Sequence, residues 1–366
     1  MDSGASLQLA PVPLIHSRRV IARGTRVSAY RLFRPWLFRL DPERAQTLAL
    51  SALRLVPRSW GGGAADSPDA SGLHLLGLRF PNRIGLAAGF DKSGRYLDEI
   101  GRLGFGFIEV GTVTPQPQSG HPRPNLFRLV EDCALINRMG FNNDGVATVV
   151  RRLERRRYRG VCGVNIGKNA DTPLTLAARD YVTCLRAVYA TADYVTVNIS
   201  SPNTRGLRDL QESDALRQLL SELASARAAL SGVHAKYVPL LIKLAPDLDE
   251  KPLDSIGGVL REAGVDGVIA TNTTTTRPAS LLSSHAGEEG GLSGRPLHPL
   301  SISVIHALRS RLGAGFPIVG VGGITDVAAG RATLDAGADL LQLYSGLIYE
   351  GPGLVRELID LSGTRT

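Results

Sequence analysis

The sequence predicts an α/β fold: a (β/α)8 TIM barrel preceded by a small N-terminal helical hairpin. Three observations carry this. Eight short apolar runs recur through the chain, helical stretches separate most of them, and nearly every run ends in small polar residues. The runs are IGLAAGF (84–90), GFIEVGTVT (106–114), VCGVNIGKN (161–169), YVTVNISSP (194–202), VPLLIKLAP (238–246), GVIATNTTT (267–275), PIVGVGGI (317–324) and LLQLYSGL (340–347). They are β-branched and nearly continuous, as parallel strands buried on both faces should be. A doubly wound sheet would also carry eight strands, but nothing in the sequence marks a reversal of strand order.

At the N-terminus, residues 1–27 mix Pro, Gly, Ser and Arg without periodicity and are expected to form a basic, disordered extension. Residues 28–60 are expected to form the hairpin. Tyr30, Leu32, Phe33, Trp36, Leu37 and Phe38 crowd among Arg31, Arg34 and Arg39, with Pro35 expected to delay or kink the first helix. Asp41-Pro42-Glu43 then supplies an N-cap, a proline at the first helical position and an acid in the first turn. Ala45, Leu48, Ala49, Ala52, Leu53 and Val56 give the second helix one apolar face. Such a pair either lies in a membrane interface or packs on its own domain. Residues 61–72 (GGGAADSPDASG) read as a linker, and 73–366 as the barrel. Helices are expected over 95–103, 145–157, 174–190, 212–230, 252–263, 299–312, 326–336 and 352–361.

Composition narrows the function. Hydrophobic residues make up 43% of the 366 and the formal charge is +8. Residues 1–60 hold ten arginines and three acids, whereas the remainder holds 32 basic and 31 acidic residues. The charge therefore belongs to the N-terminal arm, and the near-neutral body argues against nucleic acid as the partner. No apolar run approaches the roughly 20 residues of a spanning helix, and no secretory signal pattern is present. Cys133, Cys162 and Cys184 lack metal or iron–sulfur spacing, and the seven histidines fall outside the strand ends, so no metal site is expected.

In a barrel, the C-terminal strand ends meet at the face where active sites are built. Here they offer amides, hydroxyls and glycines rather than paired carboxylates. Gly322-Gly323 and Tyr344-Ser345-Gly346, after the seventh and eighth strands, suit a phosphate corner. Only five lysines accompany 37 arginines, yet Lys92, Lys168 and Lys243 lie at strand ends. A buried Lys243 needs an electron-rich partner, such as the N1/O2 edge of a reduced flavin. INRMGFNN (136–143) reads as a polar loop folding over a ligand.

Taken in order, DPERA, NRIGLAAGFDKSG, GFIEVGTVTPQPQSGHPRPNLFRL, INRMGFNNDG, VNIGKN, NISSPNTRGLR, IKLAPDL, IATNTT, GGLSGRPL, VGVGGI and QLYSG resemble the dihydroorotate dehydrogenases, in particular the membrane-associated, quinone-dependent class. The resemblance runs from about residue 30 to the C-terminus. It implies oxidation of (S)-dihydroorotate to orotate on bound FMN, with electrons passed to a membrane quinone. It also implies peripheral attachment, through the hairpin, to the anionic cytoplasmic side of the cell membrane. Ser201 falls where this class has its general base, and Thr204 and Phe141 where the proton relay is shaped. Lys92, Asn137, Arg138, Met139, Gly140, Phe141, Asn198, Asn203, Asn272 and Thr273 match substrate positions. Ala88, Gly89, Phe90, Asp91, Lys92, Thr112, Asn165, Asn198, Lys243, Thr271, Gly294, Gly323, Tyr344 and Ser345 match FMN positions. Gln46, Arg128 and Tyr344 match the quinone tunnel, with Gln46 standing where relatives commonly carry His. The competing reading is the cytosolic class, which uses Cys as base and reduces fumarate or NAD. A flavin-free sugar-phosphate barrel would leave the asparagines unexplained.

Overall fold

The computed structural model describes residues 29–55 and 72–363. The expected 1–27 extension, and the linker apart from Gly72, lie outside them. Strands β3 (Ile84–Leu86), β4 (Phe107–Val113), β7 (Val161–Ile166), β8 (Tyr194–Asn198), β9 (Leu240–Leu244), β10 (Gly267–Ala270), β12 (Ile318–Val321) and β13 (Leu340–Leu343) pair in parallel and close into a barrel, β13 returning to β3. The eight runs of the sequence are these eight strands.

Alternation along the strands divides inside from outside. In β8, Val195 and Val197 join the large core beneath the helices, whereas Tyr194 joins the cluster that plugs the barrel. Phe107, Val161, Leu241, Ile269, Val319 and Leu340 complete that plug. An antiparallel hairpin, β1 (Leu73–Leu75) and β2 (Leu78–Phe80), caps it from the N-terminal mouth through Phe80. Above the plug the interior turns polar: Glu109, Asn165, Thr196, Lys243 and Gln342 are all buried.

The helices around the barrel are α3 (Leu97–Gly101), α4 (Val146–Leu153), α5 (Ala177–Val188), α6 (Ser213–His234), α7 (Glu250–Glu262), α8 (His298–Leu312), α9 (Val327–Asp335), α10 (Ser345–Glu350) and α11 (Gly353–Gly363). Two expectations need correction. LLQLYSGL is not all strand: β13 ends at Leu343 and α10 begins at Ser345. The INRMGFNN segment is not all loop. Its first residues complete β6 (Ala134–Asn137), which pairs antiparallel with β5 (Leu126–Leu129) and β11 (Gly291–Gly294). This small sheet packs Phe127, Leu129, Ala134, Ile136 and Leu292 into one cluster, and Leu126 and Leu135 into another with Tyr349 and Phe38.

The second cluster seats the N-terminal pair, α1 (Ala29–Arg39) and α2 (Pro42–Ala52). Asp41 caps α2, its carboxylate accepting from the Arg44 N–H at 3.0 Å. Against expectation, α1 is already helical at Ala29 and runs on through Pro35. The proline is exposed, so the carbonyl it leaves unbonded can meet solvent. Tertiary contacts hold the helix on both sides of it. Tyr30 donates to the Ile348 carbonyl at 2.5 Å, Arg34 to that of Tyr349 at 2.9 Å, and Phe38 meets Tyr349 edge-on at 5.4 Å. Leu50 is buried, while Leu32, Phe33, Trp36, Leu40 and Leu48 are exposed. One face of the pair thus packs on the body, as the second of the two readings expects, and the other leaves apolar side chains exposed. No helix among the described residues is long and apolar enough to cross a membrane.

Candidate active site

A cleft opens at the C-terminal ends of the barrel strands. Nineteen of the residues singled out from the sequence line it. Ala88, Gly89 and Lys92 come from the segment after β3, Thr112 from β4, and Asn137, Met139, Gly140 and Phe141 from β6 and the turn beyond it. Asn198, Ser201 and Asn203 follow along β8 and its loop; Lys243 comes from β9, and Thr271, Asn272 and Thr273 from the end of β10. Gly294, Gly323, Tyr344 and Ser345 close the far end. Non-proline cis peptides occur at Gly111–Thr112 and Ala270–Thr271, two of these strand ends.

The turn after β6 requires its glycine. Gly140 has φ +70°, and a Cβ there would lie 2.4 Å from the His121 ring. Phe141 follows at φ +55° and is buried. His121 in turn contacts the Asn203 carbonyl at 2.8 Å, tying this turn to the loop that carries Ser201. Ser201 is 5% exposed, and its Oγ accepts from the Asn203 N–H at 3.2 Å. The Asn203 amide donates to Oδ1 and the carbonyl of Asn137, both at 3.1 Å.

The two cleft lysines differ. Lys92 is half-buried and donates to the Gly89 carbonyl at 2.8 Å and the Met139 sulfur at 3.0 Å. Burial pushes its ammonium down to about 8, opposed by the charges of Asp91 and Glu43. Lys243 sits deeper, and burial lowers its pKa against the opposing charge of Glu109. Two buried oxygens at the cleft wall, Thr271 Oγ1 and Gln342 Oε1, have no hydrogen-bond partner among the described residues. A buried polar atom without a partner calls for an explanation, and a bound ligand would supply one here.

Six of the residues matched to substrate, FMN or quinone positions do not line the cleft, nor does Thr204. Asn165 lies beneath it, fully buried, accepting from Thr112 Oγ1 at 2.6 Å. Asp91 caps a turn through the N–H groups of Arg95 and Tyr96. Arg138 turns outward to Glu288 at 2.7 Å and stacks over Phe127. Phe90 packs edge-on against Tyr344 at 5.5 Å, and its carbonyl accepts from Gln46 at 3.0 Å. Arg128 donates to the carbonyls of Leu37 and Leu40 and lies over the Phe38 ring at 4.8 Å. A chain of contacts thus runs from α2 through Gln46 and Phe90 to Tyr344 in the cleft. Lys168, also considered from the sequence, ties down the carbonyls of Asn169 and Thr172 outside the cleft.

Sequence reasoning missed Ser293, which meets Ser345 at 2.8 Å, together with Gln342 and Glu109. The signal for Glu109 was present, since it is the only acid in the eight strand runs.

Comparison with known proteins gives a consistent result. A family model described as dihydroorotate dehydrogenase matches residues 72–361. The dihydroorotate dehydrogenase (quinone) of Azoarcus sp. (strain BH72) is 52% identical over 330 residues, covering 90% of this chain and 97% of that protein. That of Cupriavidus taiwanensis is 53% identical over 332 residues, covering 90% and 96%. A crystal structure of the Eimeria tenella DHODH in complex with ferulenol superposes with TM-score 0.82 at 37% identity, covering 90% of this chain and 93% of that one. With barrel, cleft and relatives in agreement over nine-tenths of its length, the chain belongs to the dihydroorotate dehydrogenase family.

Proposed function

We propose that the protein oxidises (S)-dihydroorotate to orotate in de novo pyrimidine synthesis and delivers the electrons to a membrane quinone, with FMN as its resident cofactor. One observation carries the reading: Ser201, Lys92 and the amides of Asn137, Asn198, Asn203 and Asn272 share one cleft above a polar barrel floor. A pyrimidine ring alternates N–H and C=O groups and a carboxylate needs a cation, so amides with one lysine suit this substrate. The floor fits a flavin: the orphaned Thr271 Oγ1 and Gln342 Oε1 and the ammonium of Lys243 offer the mixed polarity of its ring edge. Ser293, Gly294, Gly323 and Ser345 gather where a phosphate would need hydroxyls and backbone N–H groups.

FMN, when bound, supplies the hydride acceptor and the electron link to the quinone. The chain's own residues do the rest. Ser201 takes the proton from substrate C5. The Asn203 N–H that donates to its Oγ stabilises negative charge on that oxygen. The serine's own proton leaves past Thr204, which is 8% exposed on the same loop. Lys92 is held by Gly89 and Met139 and turns its remaining N–H to the substrate carboxylate. Buried Met139 and Phe141 keep water from the reacting face. Arg138, Phe90, Asp91 and Asn165 act as supports behind this layer.

The quinone class is favoured over the cytosolic one by serine rather than cysteine at position 201. None of the three cysteines lines the cleft, and burial pushes the Cys162 thiol up to about 12. We assign α1 and α2 to quinone access, along the path Gln46, Phe90 and Tyr344, with Arg128 beneath. Their exposed face, carrying Leu32, Phe33 and Trp36, would rest on the anionic cytoplasmic surface of the cell membrane, drawn there by the arginines of residues 1–60. The visible spectrum of the purified protein tests the reading. A flavin spectrum, or one recovered on reconstitution with FMN, is expected; a colourless protein that takes up no FMN would refute it.

A further inference from the structure

Beneath the cleft lies one acid that the reaction does not use. Glu109 of β4 is 0% exposed, yet four donors from three other strands converge on it. Asn165 Nδ2 donates to Oε1 at 2.8 Å. Tyr194, Thr196 and Gln342 Nε2 donate to Oε2 at 3.0, 3.1 and 3.0 Å. A carboxylate only accepts, so it dictates what must face it. A side-chain amide has one accepting and one donating end, so fixing one end fixes the other.

The consequence passes from residue to residue. Since Asn165 turns its NH2 down to Glu109, its Oδ1 faces up and accepts from Thr112 Oγ1 and from Asn198 Nδ2, at 2.6 and 3.2 Å. Asn198 must then direct its Oδ1 toward Ser200, whose N–H and Oγ lie at 3.3 and 3.2 Å, and toward Asn272 Nδ2 at 3.3 Å. Asn272 completes the series with its Oδ1 on the Thr273 N–H at 2.8 Å. Asn198 and Asn272 line the cleft.

We propose that Glu109 is a positioning residue, whose buried carboxylate sets which way round the amides of Asn165, Asn198 and Asn272 stand and hence which edges they present to flavin and substrate. The inference rests on the dihydroorotate and FMN reading above and adds a residue that never touches either ligand. The same carboxylate is the negative charge that acts on Lys243, so the floor carries its two charges as opposites.

An isosteric pair of variants tests it. In Glu109→Gln the oxygen is expected to keep the Oε2 side, where Tyr194, Thr196 and Gln342 donate, so the new NH2 falls opposite the Asn165 NH2. Asn165 must turn over, and the reversal passes to Asn198, where it meets the fixed Ser200 N–H. Adding Asn165→Asp restores an acceptor facing the introduced amide and leaves an oxygen for Thr112 and Asn198, the original polarity with the charge moved one residue. The readouts are orotate affinity, followed through the flavin absorbance of the loaded protein, and FMN affinity of the apoprotein. Glu109→Gln should weaken orotate binding about tenfold or more, the cost of one buried mismatch. The double variant should recover to within about threefold of wild type. Unchanged orotate affinity in Glu109→Gln overturns the proposal, as does a double variant no better than the single. If Glu109→Gln yields no flavin-binding protein, recovery of flavin and orotate binding in the double variant supports the proposal, and equal failure of both overturns it. Wild-type protein that takes up FMN but binds no orotate would instead sink the substrate reading.

Discussion

The exposed face of α1 gives the most quantitative expectation. Phe33 and Trp36 are 65% and 68% exposed, although aromatic side chains usually bury. Taking roughly 200 Å² for each side chain, about 130 Å² of each meets solvent. At about 25 cal/mol per Å², withdrawing that area from water is worth about 3 kcal/mol per residue. A helix lying at the headgroup boundary realises roughly half of this, so the pair contributes about 3 kcal/mol to membrane binding. Phe33→Ser combined with Trp36→Ser should therefore lower partitioning onto vesicles of anionic lipid by on the order of a hundredfold. Neither ring takes part in the contacts that seat α1, which run through Tyr30, Arg34 and Phe38. Flavin content and orotate affinity should therefore stay at wild-type levels. Cosedimentation with vesicles across a lipid titration is the assay. If the double variant pellets with wild-type lipid dependence, the face is not the docking surface and the area argument fails.

Other expectations follow from the cleft. Ser201→Ala should keep FMN and orotate binding but slow dihydroorotate-driven flavin reduction by on the order of 10²–10⁴, as loss of a general base does; stopped-flow reduction at the wild-type rate would remove Ser201 from the role. Burial pushes the Lys92 ammonium down to about 8, so it is expected to lose its charge above that pH. Affinity for anionic orotate should then hold below that pH and fall by up to about tenfold per unit above it. Lys92→Arg, which stays charged, should bind more weakly but without this fall, and a flat wild-type profile would argue against the assignment. Gly140→Ala places a methyl 2.4 Å from the His121 ring at φ +70°, so thermal unfolding should show a loss of roughly 1–3 kcal/mol. A melting temperature equal to wild type would mean that the turn relaxes freely.

The barrel was legible because its strands are buried on both faces, and each run carries that as continuous apolar character. The cleft was legible for a related reason, since polar residues at the C-terminal strand ends have no packing role to explain them. The rest was hidden by context. β5, β6 and β11 are four residues each and include Asn137 and two glycines, so only their mutual pairing reveals them. α10 continues an apolar run from β13, and the change from strand to helix at Ser345 leaves no break in hydropathy. Pro35 carries a strong local penalty that the docking of Tyr30, Arg34 and Phe38 overrides. Lys168 and Lys243 look alike in sequence, each beside a strand end. One points to loop carbonyls and the other into the barrel, a difference set by strand alternation and loop path. Glu109 was visible as an isolated acid, but its four donors come from three strands far apart in the chain.

The central claim is that dihydroorotate loses its electrons in this cleft and that a quinone collects them. Anaerobic mixing of the flavin-loaded protein with dihydroorotate, followed by one acceptor at a time, tests it most directly. The flavin band should bleach on adding dihydroorotate and return promptly with a short-chain quinone, but not with fumarate or NAD. A band that never bleaches, or one restored as fast by fumarate or NAD as by quinone, would contradict the account.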